Sequence, residues 1–240
     1  MKNILERSWF FPVVVTVLGL VSALVLTMHF PPVVGLGTLV RLPVFHGGLV
    51  WANFILFFVL GVVGLVAFFT KNERLYIWSK ALRFSSIGLW ILNFGVGMLA
   101  SNLTWDFSAT DQSAFVMMMQ EPRILMQVYV SLFGIAILVL PLIFEKWRTL
   151  SLFDGIFGFA SLVMARVAVM FGESLHPDSP ALNSEEAIIR FTFIGIAFAL
   201  IIMSSGIVMT VRSLLESRAK IALETAANDG ENTANEGDSS

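Results

Sequence analysis

Three histidines, His29, His46 and His176, are the only imidazoles in the chain, and cysteine is absent. A neutral imidazole at a membrane boundary can ligate heme iron, hold another metal or carry a proton; its plain alternative is an interfacial polar group that caps a helix. His46 lies in Leu-Pro-Val-Phe-His-Gly-Gly-Leu-Val-Trp, just before a long apolar run that contains Trp51. His176 lies in Ser-Leu-His-Pro, just after another such run. His29 closes the first apolar run at His-Phe-Pro-Pro and reads as an interfacial cap. Without cysteine there is no disulfide, thiolate metal site, iron–sulfur cluster or thiol relay.

The elements that position these groups follow from composition. With 57% hydrophobic residues, 13% charged residues and a mean hydropathy of +0.83, a chain of 240 residues carries more apolar surface than one soluble core can bury. The expected class is an all-α integral membrane protein with six transmembrane helices. Their expected spans are 9–28, 49–70, 84–101, 124–144, 152–171 and 187–211. The first run is too long for a signal-peptide core and lacks a small-residue cleavage site, so it reads as a retained helix stopped by Pro31 and Pro32. Residues 33–48 read as an outer loop, broken by Gly35, Gly37 and Pro43, and 75–83 as an amphipathic segment lying in the interface. Gly88, Gly95 and Gly97 are expected to let a neighbouring helix approach, and Gly61 and Gly64 to pack. From 217 to 240 the Ala, Asn, Glu, Gly and Ser composition reads as a disordered cytoplasmic tail.

Eleven of the fifteen lysines and arginines fall at the ends of the expected spans on one side, Arg83 among them. Arg41, Arg123 and Arg190 fall on the other, and Arg166 lies within the fifth span. By the positive-inside rule both termini are cytoplasmic, which puts all three histidines, Trp105 and Asp106 on the outer side.

These residues resemble a known family. His46 followed by Trp51 is similar to the His-Val-Pro-x-Ala-Trp stretch that opens the second helix in cytochrome c assembly membrane proteins of the CcmC/CcsA-like, heme-handling type. Ser174-Leu175-His176-Pro177 is similar to that family's Thr-Leu-His-Gln/Pro stretch, and Trp105-Asp106 falls where the family carries a tryptophan-rich segment ending in Trp-Asp. The resemblance covers about 42–211. It implies that His46 and His176 are axial ligands of a heme b held at the outer surface, with the tryptophan segment over its apolar face. It also implies partners of the ABC-transporter and heme-chaperone kind. The family's several tryptophans and its Asp-x-Arg continuation are replaced here by about a dozen intervening residues before Glu121-Pro122-Arg123, so Arg123 takes the place of that arginine or the segment has been rebuilt.

The residues themselves are compatible with heme, which needs nitrogen ligands, an apolar slot and cations near its propionates. Arg41, Arg123 and Arg166 are the available cations. Arg166, about 15 Å deeper than His176 on a regular helix, is either a propionate or carboxylate partner or a snorkelling or bundle-locking arginine bonded to backbone carbonyls. Asn53 and Asn93 read as interhelical hydrogen-bond glue, and Met117 to Met119 as soft packing. No nucleophile–base pairing, phosphate loop or zinc motif is present and no basic face offers itself to nucleic acid, so the expected protein is not an enzyme. Three functions fit: a cytochrome c biogenesis protein of the inner (plasma) membrane that binds heme on the non-cytoplasmic side and presents it to a partner; a b-type cytochrome with a permanent heme; or a cofactor-free transport or structural subunit.

Overall fold

The computed structural model describes residues 9–105, 107, 113–170 and 181–237, and over these it is helical with no named strand. Seven α-helices follow in order: α1 Phe10–Met28, α2 Arg41–Thr70, α3 Glu73–Thr104, α4 Ala114–Gln120, α5 Pro122–Val139, α6 Trp147–Met170 and α7 Ala187–Gly237. All but α4 are long and apolar enough to cross a membrane, which makes this a multi-pass membrane protein.

Several boundaries differ from the sequence expectation, each for a local reason. Helix α2 begins at Arg41, not 49, so His46 stands inside a helix and not in a loop. Pro43 is tolerated because it sits in the first turn, where backbone N–H groups have no intrahelical acceptor. The Gly47-Gly48 pair does not end the helix: both face α7, and a Cβ on Gly48 would stand 2.9 Å from the side chain of Leu200. Helix α3 runs unbroken through 75–83, with Asn72 capping it by accepting from the backbone N–H of Arg74 at 3.0 Å and Leu75 at 3.4 Å. Lys71, at φ 56°, makes the tight reversal from α2. Pro122 starts α5 at its first position, after Glu121 in extended conformation. Helix α7 continues through the segment read as a tail, to Gly237.

Helix α2 is the centre of the bundle, packed on α3, α6 and α7, while α1 lies along α7 and α5 closes the far side against α3 and α6. Without a hydrophobic drive between helices in lipid, close backbone approach supplies the packing. A Cβ on Gly64 would stand 2.6 Å from the backbone N of Gly155, and one on Gly158 would stand 2.4 Å from the carbonyl O of Phe57, so α2 and α6 meet through a glycine seam. Above the seam an aromatic chain ties four helices together. Phe57 meets Trp90 at 5.3 Å and Phe157 at 5.5 Å between ring centroids, and Phe157 meets Phe133 at 5.1 Å.

The asparagines do not join helices as expected. Asn53 Nδ2 donates to Leu49 O of its own helix at 2.9 Å, and the carboxamide of Asn93, 0% exposed, has no hydrogen-bond partner among the described residues. Of the three α3 glycines, only Gly97 meets a neighbour; Gly88 and Gly95 face open space.

Candidate functional site

The end of the bundle where α2 and α7 start and α3 and α6 finish encloses a cavity of about 1140 Å³. Small-molecule pockets usually hold roughly 300–1,000 Å³, so this one admits a large ligand. One wall is aliphatic and comes from the segment 30–50. The floor is Trp90 with Gln127, whose backbone carbonyl accepts from Trp90 Nε1 at 3.2 Å. Residues 181–184 line the remaining side.

His46, Trp51, Trp105, Arg123 and Arg166 all line this one cavity. They come from α2, the end of α3, α5 and α6, and lie up to 120 residues apart in sequence. The other two expected site residues, Asp106 and His176, lie outside the described residues.

His46 is the sixth residue of α2 and is only 7% exposed. Its imidazole is seated on Gly97 of α3: a Cβ there would stand 2.6 Å from Cε1, 3.0 Å from Nδ1 and 3.1 Å from Nε2. Three ring atoms at such similar distances place the ring's face over the glycine, not its tip. The ring is therefore held between α2 and α3 at the wall of the cavity that His46 lines.

Trp51 is 44% exposed and meets Phe54 edge-on at 6.4 Å; Trp105 caps α3 through its N–H to Ser101 O at 3.0 Å and packs on Phe107 at 6.2 Å. Arg123 stands in the first turn of α5, behind buried Glu121. Arg166 is exposed and lines the cavity from the last two turns of α6. Arg41 is spent elsewhere, donating from Nε to Phe30 O at 3.4 Å, and does not line the cavity. His29 is a cap, its Nδ1 at 2.8 Å from Val25 O, and Met118 is buried packing in α4. No group of three or more His, Asp or Glu side chains able to share a metal ion stands among the described residues.

The arrangement is a large, mainly apolar chamber with one seated imidazole, three tryptophans and two guanidinium groups. It can hold a broad amphiphilic acid, with nitrogen ligation at one point and cations for its carboxylates.

Two features are absent from the sequence reading. Gly97 carries a packing role there but not the seat of His46. Arg83 is counted there among the charges at the inner ends of the helices, and Asp154 has no role. In the structure both are 0% exposed and paired, Arg83 Nη1 to Asp154 Oδ1 at 3.3 Å, with Ser79 Oγ donating to Asp154 Oδ2 at 2.7 Å. The available signal was an acidic residue inside an apolar run, which in a membrane needs a partner.

Fold and cavity together define a multi-pass helical membrane protein with a ligand chamber at one end of its bundle. No protein-family model, curated protein or solved structure matches the chain.

Proposed function

We propose that the chamber binds heme and that the protein handles heme for cytochrome c assembly, holding it on the non-cytoplasmic side and presenting it to a partner. The observation that carries this reading is the convergence of His46, Trp51, Trp105, Arg123 and Arg166 on one cavity of sufficient volume. Heme supplies an iron that takes imidazole nitrogen and two propionates that pair with cations. His46 would hold the iron from α2, and His176 is proposed as the second ligand. Arg123 and Arg166 would take the propionates, and Trp51 and Trp105 would wall the ring. A chamber at a bundle end, not at its centre, leaves such a ligand within reach of a delivery partner. The resident partners are membrane lipid and, by the same reading, transporter and chaperone subunits of the assembly machinery.

The test is hemin titration of the heme-depleted protein in detergent. Hydrogen bonds involving a charged group contribute about 1.5–3 kcal/mol, so Arg123→Gln and Arg166→Gln should each weaken affinity about tenfold or more. Heme dimethyl ester, which lacks the propionate charge, should bind wild type as weakly as free hemin binds the double variant. Equal affinity of wild type and both variants for hemin would remove the arginines from the site and with them this reading of the chamber.

A further inference from the structure

The seam between α2 and α6 runs up into the chamber. Along the seam Phe57, Gly61 and Gly64 of α2 meet Gly155 and Gly158 of α6, and Phe58 meets Phe159 edge-on at 6.1 Å between ring centroids. The same two rows, stepping by three and four residues, continue toward the chamber as Val50 and Phe54 and as Leu162, Ala165 and Val169. There they line it. Faces that touch along the seam become two sides of a cavity above it, so the helices part beyond the Phe58–Phe159 contact.

The outer edges of this gap are Trp51 and Arg166, two turns or about 10 Å beyond Phe58 and Phe159 on their respective helices. Each belongs to the exposed stripe of its helix, Trp51 with Ile55, Phe58 and Val62, and Arg166 with Ile156, Val163 and Met170. Each also lines the chamber. Side chains shared by an outward stripe and a cavity stand at an opening between the two. Both helices are long and apolar enough to cross a membrane, so what lies outside that opening is lipid. Arg166 makes no ion pair or hydrogen bond among the described residues. A cation in an apolar span needs an anionic partner, and one turn from the end of α6 the partner within reach is a lipid phosphate.

We propose that the chamber opens sideways into the bilayer between α2 and α6, and that an acidic phospholipid occupies the opening, with its phosphate on Arg166 and one acyl chain passing Trp51 into the chamber. The acyl chain suits an apolar lining that water would fill poorly. An acidic head suits the guanidinium better than a zwitterionic one, whose own ammonium competes for the phosphate. Trp90, on the chamber floor and 1% exposed, is shielded from lipid around the bundle and therefore reports what enters. The proposal concerns the heme-depleted protein and does not depend on the heme reading.

Its test is fluorescence quenching by phospholipids brominated on their acyl chains, titrated into nanodiscs that hold the heme-depleted protein. Trp90 is kept as the one tryptophan, and the other five of the six are replaced by phenylalanine. Brominated phosphatidylglycerol should quench Trp90 at about fivefold lower mole fraction than brominated phosphatidylcholine, the attraction of one arginine for an anionic lipid. Arg166→Gln should bring the two lipids together, and Arg166→Lys, which keeps the charge, should hold them apart. A chain with phenylalanine at all six tryptophan positions and Phe157→Trp, also buried but outside the chamber, gives the quenching expected through the bundle wall. Trp90 quenched no more than this control would close the opening and overturn the proposal. Quenching that does not distinguish the two lipids, or a distinction that survives Arg166→Gln, would overturn the headgroup site. Hemin is absent throughout, so these outcomes stand apart from those of the hemin titration.

Discussion

Replacing Asp154 by alanine should cost about 3–5 kcal/mol of folding stability, one of the two largest effects expected in the molecule. The ion pair is fully buried on both sides, so removing the carboxylate leaves the Arg83 guanidinium charged, dehydrated and without its counter-charge. The same pair joins α3 to α6, and Ser79 loses its acceptor with it. Replacing both partners by leucine removes the buried charge altogether and should recover most or all of the stability. Denaturant unfolding in detergent, followed by helical circular dichroism, reads both variants. An Asp154→Ala protein as stable as wild type would contradict the buried pair.

The second large effect is expected at Gly97. A methyl group there would stand 2.6 Å from His46 Cε1, closer than real contacts allow, so the imidazole must leave its seat or the two helices must part. The clash is with the end of a side chain, so the ring can give way at small cost in stability, but a displaced ring no longer sits where it lines the chamber. Gly97→Ala should therefore lower hemin affinity at least about tenfold, because a ligand shift of an ångström or less already forfeits well-oriented coordination. Gly95, two residues earlier in the same helix, meets nothing within 4 Å and serves as the control. Gly95→Ala should leave affinity unchanged and add slightly to helix stability. Equal affinities for the two variants would mean that Gly97 does not position His46.

The fold was legible in the sequence because length and hydropathy of each run are what a membrane demands of a helix, and all six spans are present. The helix ends were less legible. Pro43, Gly47 and Gly48 look like loop residues on propensity, yet a first-turn proline and two glycines facing α7 are compatible with helix once the neighbour is known. The charged run before 84 looks interfacial until Asp154 supplies a partner for Arg83 from 71 residues away. Of the site, residue types at the outer ends of spans were readable, and the chamber gathers His46, Trp51, Trp105, Arg123 and Arg166. Gly97 as the seat of an imidazole was not, since nothing local to Gly97 distinguishes it from Gly95. Arg41 looked as eligible as Arg123 because its bond to the Phe30 carbonyl depends on a turn that spacing alone does not reveal.

The central claim is that His46 and His176 hold a heme in this chamber, and the visible absorption spectrum tests it most directly. Wild type purified in detergent from heme-replete cells should show a low-spin, bis-imidazole spectrum in oxidised and reduced forms, and His46→Ala and His176→Ala should each lose it while remaining folded. A wild-type protein without a heme band, or a band that survives His46→Ala unchanged, would contradict the account.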